Sequence, residues 1–201
     1  LKPIGTAQAR VLRMRVDLKP WNDNRVRMAL KLCQHREKIL GLAYFGQGLQ
    51  GHDFHVCPKH PEYCEKPVPK YDPQKAKQLL KEAGYGPSNP LKFELMATNQ
   101  DMFVDQAVMI QAFMQDVGAQ VEVLPLDKST LFDRVYVRKA FKGKPELYNA
   151  ALEDWGSSVV DPESSADRLF GSGSGSNKCF YANPEVDKLF EDVNFARTIE
   201  E

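Results

Sequence analysis

Apolar residues along this chain recur with two alternating periods, the pattern of a helix-covered and largely parallel β-sheet. A period of two predicts a strand at 9–17, and Asn22 or Asp23 is placed to cap the helix that follows. The apolar face of that helix comprises Val26, Ala29, Leu30 and Cys33. Strand and helix signals then continue to alternate towards the C-terminus, which predicts an α/β fold.

The boundaries of the later elements are also indicated by residue type. Asp72 and Pro73 form an N-cap and first-turn pair, and Gly84 and Gly118 are placed to end two helices. The predicted later strands are 91–98, 120–127 and 147–152, and the predicted later helices are 72–84, 103–117, one around 131–135, and one opened by Asn183. The last helix reaches Glu201 without a stop signal, so we expect an excised piece of a larger protein.

Composition restricts the partners of the chain. The 201 residues include 27 Lys and Arg and 27 Asp and Glu, so no net charge attracts nucleic acid or an anionic membrane. No segment approaches the roughly 20 apolar residues that cross a bilayer, so direct membrane insertion is not predicted. The N-terminus lacks the pattern of a signal peptide, so either the protein is cytosolic or its leader is absent from this chain.

Two glycine-rich segments give little evidence of a catalytic or cofactor-binding site. "GQGLQG" at 46–51 has the glycine spacing of a dinucleotide site, but a helix rather than a strand precedes it and a Pro-rich stretch follows. We therefore predict a connecting loop at 46–71. "GSGSGS" at 171–176 has the composition of a flexible linker or of a natural loop, and it lies in a turn-rich segment predicted at 156–182.

A cluster of histidine and cysteine supports a competing interpretation. Imidazole and thiolate are ligands that zinc or nickel would select, and the cluster contains His52, His55, Cys57, His60 and Cys64. The six residues between the two cysteines exceed the two to four that usually separate ligands in structural zinc sites. We favour a disulfide between Cys57 and Cys64 and keep a metal-binding module as the alternative.

Catalysis finds little support in the sequence. Ser157 and Ser158 have no histidine nearby in the chain, and no nucleophile elbow is present. Acidic residues such as Asp154 and Asp161 near a strand end are more often solvated or capping than catalytic. We therefore predict a protein that is not an enzyme and has no cofactor.

Four sequence blocks, in this order, carry a resemblance to a known family. The blocks are "NDNRVRMALKLCQHREKIL", "YDPQKAKQLLKEAGY", "DWGSSVVDPES" and "CFYANPEVDKLFE". Together they resemble the family 5 solute-binding proteins of ABC importers, the dipeptide, oligopeptide and nickel-binding type. The resemblance implies that 1–201 is a single α/β lobe, with a largely parallel or mixed sheet and flanking helices, of a type II two-lobe clamp from a periplasmic binding protein.

The resemblance also implies a location and partners. Members bind peptides or small polar solutes in the periplasm or elsewhere outside the cytoplasm and deliver them to the membrane subunits of an ABC transporter. They close two lobes around the ligand, and this chain resembles the second lobe. The family also places a Gly/Ser/Asn-rich turn before the "NPEVD" helix, which supports a natural loop at 171–176.

The expected ligand residues are Trp155, Ser157, Ser158, Asp161 and Asn99. Trp155 and Asn99 follow predicted strands, and ligands of parallel sheets gather beyond the carboxyl ends of the strands. The resemblance places a pocket tryptophan at Trp155, a second acidic position at Asp161, and an aspartate that pairs with an α-ammonium at the position of Ser158.

The serine at position 158 changes the expected ligand chemistry. An ionic hydrogen bond is worth roughly 1.5–3 kcal/mol against about 1 for a neutral one, so loss of the carboxylate predicts about tenfold weaker peptide binding unless another acid compensates. The ligand end near Ser158 is then neutral, as in a sugar, a blocked peptide or an opine-like compound, or its ammonium is held by the missing lobe.

Overall fold

A computed structural model describes residues 8–53, 56–58, 60, 63–136, 150–156 and 163–195. The strands within these ranges are β1 (Gln8–Met14), β2 (Lys92–Thr98), β3 (Gln120–Leu126) and β4 (Ala150–Gly156). The helices are α1 (Asn24–Leu32), α2 (Arg36–Ala43), α3 (Pro73–Glu82), α4 (Asp101–Asp116), α5 (Lys128–Tyr136), α6 (Glu163–Phe170) and α7 (Pro184–Phe195).

The four strands form one mixed sheet in the order β1-β4-β2-β3. β2 pairs in parallel with β3 and with β4, whereas β1 pairs antiparallel with β4. The predicted α/β class with a largely parallel or mixed sheet is confirmed. Because β2, β3 and β4 run in the same direction, their carboxyl ends lie at one edge of the sheet.

Alternating side chains of the strands fill two separate cores. On one face Leu95, Ala97 and Leu152 belong to the larger cluster, which includes the buried stripes of α1, α3 and α4. On the other face Met96 and Ala151 pack with residues of α5. Where β2 and β4 pair, the sheet is buried on both faces, which explains why 95–97 and 150–152 read as continuous apolar runs.

The predicted helix boundaries are confirmed by the cap geometry. Asp23 accepts a hydrogen bond from the Arg25 amide, and Asp72 accepts one from the Lys75 amide at 2.8 Å. Gly84 and Gly118 follow α3 and α4 with φ of 90° and 94°, a backbone region that disfavours any residue with a Cβ atom.

Two strand ends and two helices differ from the sequence analysis. β1 ends at Met14 rather than at residue 17. β4 is described from Ala150 to Gly156, so it continues past the predicted end at 152 and Trp155 lies inside the strand, while 147–149 lie outside the described residues. α2 was not predicted as a separate helix, and α6 was not predicted within the turn-rich segment 156–182. Both helices have only eight residues, too few for a clear helical period against mixed polar composition.

The connecting loop predicted at 46–71 has the expected surroundings. α2 precedes it, and no helix or strand is assigned to its described residues. Gly46 and Gly48 have φ of 72° and 120°, and the Arg36 guanidinium holds the loop through Asp53 at 2.9 Å and the Gly51 carbonyl at 3.1 Å. The glycine spacing therefore shapes a turn at the end of α2 rather than a nucleotide site.

The Gly-Ser segment between α6 and α7 is a hydrogen-bonded loop organised by Asn177. The Asn177 side chain is buried, its amide nitrogen donates to the carbonyls of Gly171 at 3.1 Å and Tyr181 at 2.7 Å, and its oxygen accepts from the Tyr181 amide. The Ser172 amide donates to Asp187 of α7. This network agrees with the natural loop implied by the resemblance.

We predict that Asn177→Ala lowers the free energy of unfolding by about 2 kcal/mol, because the loop loses several buried hydrogen bonds and the Tyr181 amide loses its acceptor. Urea unfolding measures the change. Ser176→Ala is the matched control, since the Ser176 hydroxyl makes none of these bonds. Equal stability of Asn177→Ala and the control would contradict the role of Asn177.

Candidate functional site

The carboxyl ends of β2, β3 and β4 bring three polar chain segments to one edge of the sheet. Thr98 pairs with Leu126, Ala97 pairs with Leu152, and Asn99 and Asp127 follow directly on β2 and β3. Open α/β sheets bind ligands at this edge. The edge is therefore the candidate binding site.

Asn99 lies at this edge, as the sequence analysis predicted. Its side chain is exposed, and its backbone amide donates to the Leu126 carbonyl at 2.8 Å. That bond extends the parallel pairing by one residue and fixes the start of the β2–α4 connection. The position of Asn99 is thus set by the sheet, while its contact with a ligand stays a prediction.

Trp155 is the penultimate residue of β4. Its backbone pairs with Ala9 of β1, so the position belongs to the sheet rather than to the following loop. Ser157, Ser158 and Asp161 lie outside the described residues. Their roles, and that of Trp155, stay predictions.

The topology at the carboxyl ends of β2 and β3 defines a switch point, called the crevice below, that sequence reasoning missed. The chain leaves β2 into α4, which packs on the face of Leu95, and leaves β3 into α5, which packs on the face of Met96. Adjacent strands whose connections depart to opposite faces define the position where ligands bind in open α/β sheets. The topology could not be read from sequence, because strand order is not encoded locally.

Asp127 occupies the β3 side of this crevice as an ionised cap of α5. One carboxylate oxygen accepts from the Ser129 hydroxyl at 2.5 Å and the Thr130 amide at 2.9 Å, and the other accepts from the Thr130 hydroxyl at 2.5 Å. These bonds, led by the one from Ser129, hold the pKa of Asp127 far below its usual range. The Asp-x-Ser-Thr pattern predicts a helix cap and could have identified the residue.

Thr98 forms the β2 side of the crevice. It is buried, and its hydroxyl oxygen has no hydrogen-bond partner among the residues that the structure describes. A buried polar group without a partner costs about 1–3 kcal/mol, so such groups are rare in native proteins. The sequence gives no signal for this feature, since a threonine at the end of a strand is ordinary.

The described residues of the His/Cys cluster lie in a loop. His60 is buried, and its Nδ1 atom accepts from the Cys57 amide at 2.9 Å. His52, Cys57 and Cys64 belong to the described residues, whereas His55 does not. Within the described part of the chain, no three His, Cys, Asp or Glu side chains are placed to hold a metal ion. The metal-binding alternative is not favoured.

The cysteines of the loop are free thiols in the structure. Cys57 is half-buried and Cys64 is exposed, while Cys33 at the end of α1 is fully buried. Burial raises the pKa of the Cys33 thiol to about 12. The predicted Cys57–Cys64 disulfide is not formed in this structure and stays a prediction.

A depression of about 470 Å³ lies at the opposite edge of the sheet. Residues at the amino ends of β2 and β3 line it, including Lys92, Glu94, Gln120 and Glu122. It is open, and the residues around its rim are charged or amide side chains. The carboxyl edge, where the strand ends meet polar groups with acceptor capacity, stays the candidate binding site.

An α/β lobe whose parallel strands end together at a polar edge is the architecture of a ligand-binding domain. Residues 4–177 match the family described as bacterial extracellular solute-binding proteins, family 5 Middle. The chain belongs to this family. The resemblance found in the sequence is confirmed.

Two relatives illustrate the similarity in sequence. The glutathione-binding protein GsiB of Pectobacterium atrosepticum is 27% identical over 184 residues, which cover 89% of this chain and 34% of that protein. The periplasmic oligopeptide-binding protein OppA of Salmonella typhimurium is 26% identical over 182 residues, which cover 87% and 32%. The chain thus spans about a third of the length of the relatives it matches.

Solved structures show the same fold. The oligopeptide-binding protein AppA of Bacillus subtilis, in complex with a nonapeptide, matches with a TM-score of 0.85 and 23% identity, covering 97% of this chain and 40% of that one. NikA of Staphylococcus aureus, in complex with Ni(L-His)2, matches with a TM-score of 0.83 and 20% identity, covering 97% and 40%. The chain corresponds to one lobe of such proteins. None of its described helices is long and apolar enough to cross a bilayer.

We predict that Cys64 and Cys57 of the reduced native protein react with iodoacetamide near pH 8, whereas Cys33 reacts only after unfolding. The raised pKa and the burial of Cys33 keep that thiol protonated and inaccessible. Peptide mass mapping of alkylated samples, with a guanidinium-unfolded control, measures the reactivities.

Exposure of the same protein to an oxidant tests the disulfide. Joint loss of reactivity at Cys57 and Cys64, reversed by a reductant, is expected from a bridge between them. Native-state alkylation of Cys33 as fast as that of Cys64 would contradict the burial argument.

Proposed function

We propose that this chain is one lobe of the substrate-binding component of an ABC importer. It binds a peptide or a related small polar solute noncovalently and catalyses no reaction. The observation that carries the proposal is the convergence of three parallel strand ends at one polar edge in a chain of this family. The names of the relatives, which include glutathione-binding and oligopeptide-binding proteins, support the ligand class.

The ligand lies beyond the carboxyl ends of the strands in this proposal. Asn99 contacts it from the end of β2, and Trp155 contacts it from the end of β4. The segment after β4 adds Ser157, Ser158 and Asp161. An indole offers a broad apolar face for packing on a peptide backbone or ring and one N–H for orienting a polar group.

The single lobe formed by 1–201 supplies one side of the binding cleft. The 46–71 loop connects α2 to α3, and 156–182 borders the cleft. A second lobe, supplied by the rest of a protein of the length of its relatives, closes over the ligand. Such a protein works in the periplasm or elsewhere outside the cytoplasm and delivers its ligand to the membrane subunits of the importer.

Ser158 contacts an uncharged part of the ligand. A hydroxyl accepts or donates a neutral hydrogen bond, but it supplies no negative charge to a desolvated ammonium. A ligand group next to Ser158 is therefore an amide, a hydroxyl or a blocked terminus. If the ligand carries an ammonium, a different carboxylate holds it.

We predict that Ser158→Ala in the full-length protein weakens binding of free and N-acetylated peptides by the same factor, about fivefold for one neutral hydrogen bond. Thermal shift with peptides and oligosaccharides first identifies a ligand, and titration calorimetry then measures both affinities. Asn194→Ala in α7 is a polar-to-alanine control.

The two peptide forms separate the outcomes of that experiment. A loss confined to the free peptide would contradict a neutral environment and would place the ammonium next to Ser158. Wild-type protein that binds no peptide and no other solute of the screen would contradict the proposed function as a whole.

We predict that Trp155→Phe removes a ligand-induced change in tryptophan fluorescence and that Trp21→Phe retains it. Trp155 lies at the carboxyl edge, whereas Trp21 is fully buried against Phe93 with ring centroids 4.8 Å apart. The full-length protein is titrated with the ligand of the screen, and the spectra of wild type and both variants are compared. A ligand response lost in Trp21→Phe instead would contradict the placement of Trp155.

A further inference from the structure

β3 lies at one edge of the sheet and presents a row of backbone polar groups away from β2. In the order β1-β4-β2-β3, no strand among the described residues pairs with the outer side of β3. An open strand edge is a template on which a strand of another chain can add, and such addition leads to aggregation. The residues that close this edge therefore decide whether copies of the chain stay apart.

The register identifies the outward-facing backbone groups of β3. The Gln120 amide donates to the Leu91 carbonyl at 2.7 Å, and the Asn99 amide donates to the Leu126 carbonyl at 2.8 Å. In a parallel ladder, every second residue of a strand directs both its N–H and its C=O to the same neighbour. Positions 120, 122, 124 and 126 therefore bond to β2, and the backbone groups of 121, 123 and 125 point away from the sheet.

The side chain of Gln111 in α4 closes the first part of this edge. Its Nε2 atom donates to the outward carbonyl oxygen of Val121 at 2.7 Å. α4 packs on the face of the sheet that contains Val121, so Gln111 approaches the edge from that face. A strand that added to β3 would need this carbonyl as an acceptor and would compete with Gln111 for it.

Pro125 closes the far part of the edge. Proline has no N–H, and its ring occupies the position from which an outward N–H would donate. Pro125 pairs with Ala97 without loss of a bond to β2, because its neighbours in the strand make those bonds. Among the three outward residues of β3, only Val123 keeps both an N–H and an unbonded C=O within the described part of the chain. One such residue is too short a stretch for a stable strand pair.

The composition of β3 makes these two barriers necessary. The strand reads QVEVLPL, and with valine in place of the proline five of its seven residues would be apolar and one would be charged. Segments of about six or seven residues with high β-propensity, low net charge and no proline form cross-β pairs readily. Pro125 thus interrupts an otherwise association-prone strand at its exposed edge.

We propose that Gln111 and Pro125 together prevent the outer edge of β3 from pairing with a second copy of this chain. The two residues come from different elements and block different positions, so the edge is closed near both of its ends. The inference is independent of the ligand, and it concerns a surface of the lobe that the proposed function does not use.

Sedimentation velocity over a range of protein concentrations tests the proposal on full-length wild type, Gln111→Ala, Pro125→Val and the double variant. Wild type is expected to stay monomeric, and the double variant is expected to form dimers and larger species. Its dimer dissociation constant is expected to be about tenfold lower than that of either single variant, because the ladder gains a further hydrogen bond. Gln115→Ala is the matched control, since Gln115 is an exposed glutamine of α4 whose side chain does not bond to β3.

Circular dichroism and urea unfolding show which variants keep the native fold. A double variant that folds like wild type and stays monomeric at every concentration overturns the proposal. Association of Gln115→Ala to the same extent as the double variant also overturns it.

Hydrogen exchange on the wild-type protein tests the open edge without any variant. The outward Val123 amide is expected to exchange at least about tenfold faster than the Glu122 and Leu124 amides, which donate to β2. Equal protection of the three amides at monomeric concentrations would show that another part of the protein already covers the edge, and it would overturn the roles of Gln111 and Pro125.

Discussion

The parallel pairing of β2 with both β3 and β4 is the constraint on which the candidate site depends. It brings the segments around Asn99 and Asp127, which are distant in sequence, to one edge, and antiparallel pairing with β1 carries β4 on to Gly156. The Asn99 amide donates a hydrogen bond to the Leu126 carbonyl, so the β2–β3 register also fixes the position of Asn99. A shift of that register by one residue would exchange the two faces of β2.

Helices pack on both faces of the sheet, and this packing determines where the crevice lies. α4 covers one face through Phe103, Ala107 and Ile110, and α5 covers the other through Leu131 and Val135. Their connections therefore separate immediately after β2 and β3, leaving polar backbone and side chains at the gap. The packing of the buried apolar helix residues thus determines where polar groups are exposed at the ends of β2 and β3.

Local signals in the sequence predict the elements far better than they predict the site. The caps at Asp23 and Asp72 and the stop at Gly84 are local chemistry, so α1 and α3 follow directly from residue type. The end of β4 is set by pairing with β1, a partner far away in sequence, so the strand extends past the apolar run to Trp155 and Gly156. Sequence alone could not show such a tertiary effect.

The same difference explains which site residues were identified. Asn99 and Trp155 were expected because each follows a strand signal, and the family resemblance indicated the segment after β4. Thr98 and Asp127 become notable only when β2 and β3 are known to be neighbours. Asp127 caps α5, and the hydrogen bonds of that cap also lower the pKa of its carboxyl group.

An exposed carboxylate on one open lobe is a weak recognition element by itself. Ion pairs in water contribute about 0–1 kcal/mol, because solvent screens the charges and ordering the groups costs entropy. In the proposed two-lobe protein, enclosure between the lobes excludes that solvent, and a charged hydrogen bond is then worth roughly 1.5–3 kcal/mol. In the proposed two-lobe protein, this lobe therefore sets the position of its polar groups, whereas the second lobe determines how strongly a charge discriminates between ligands.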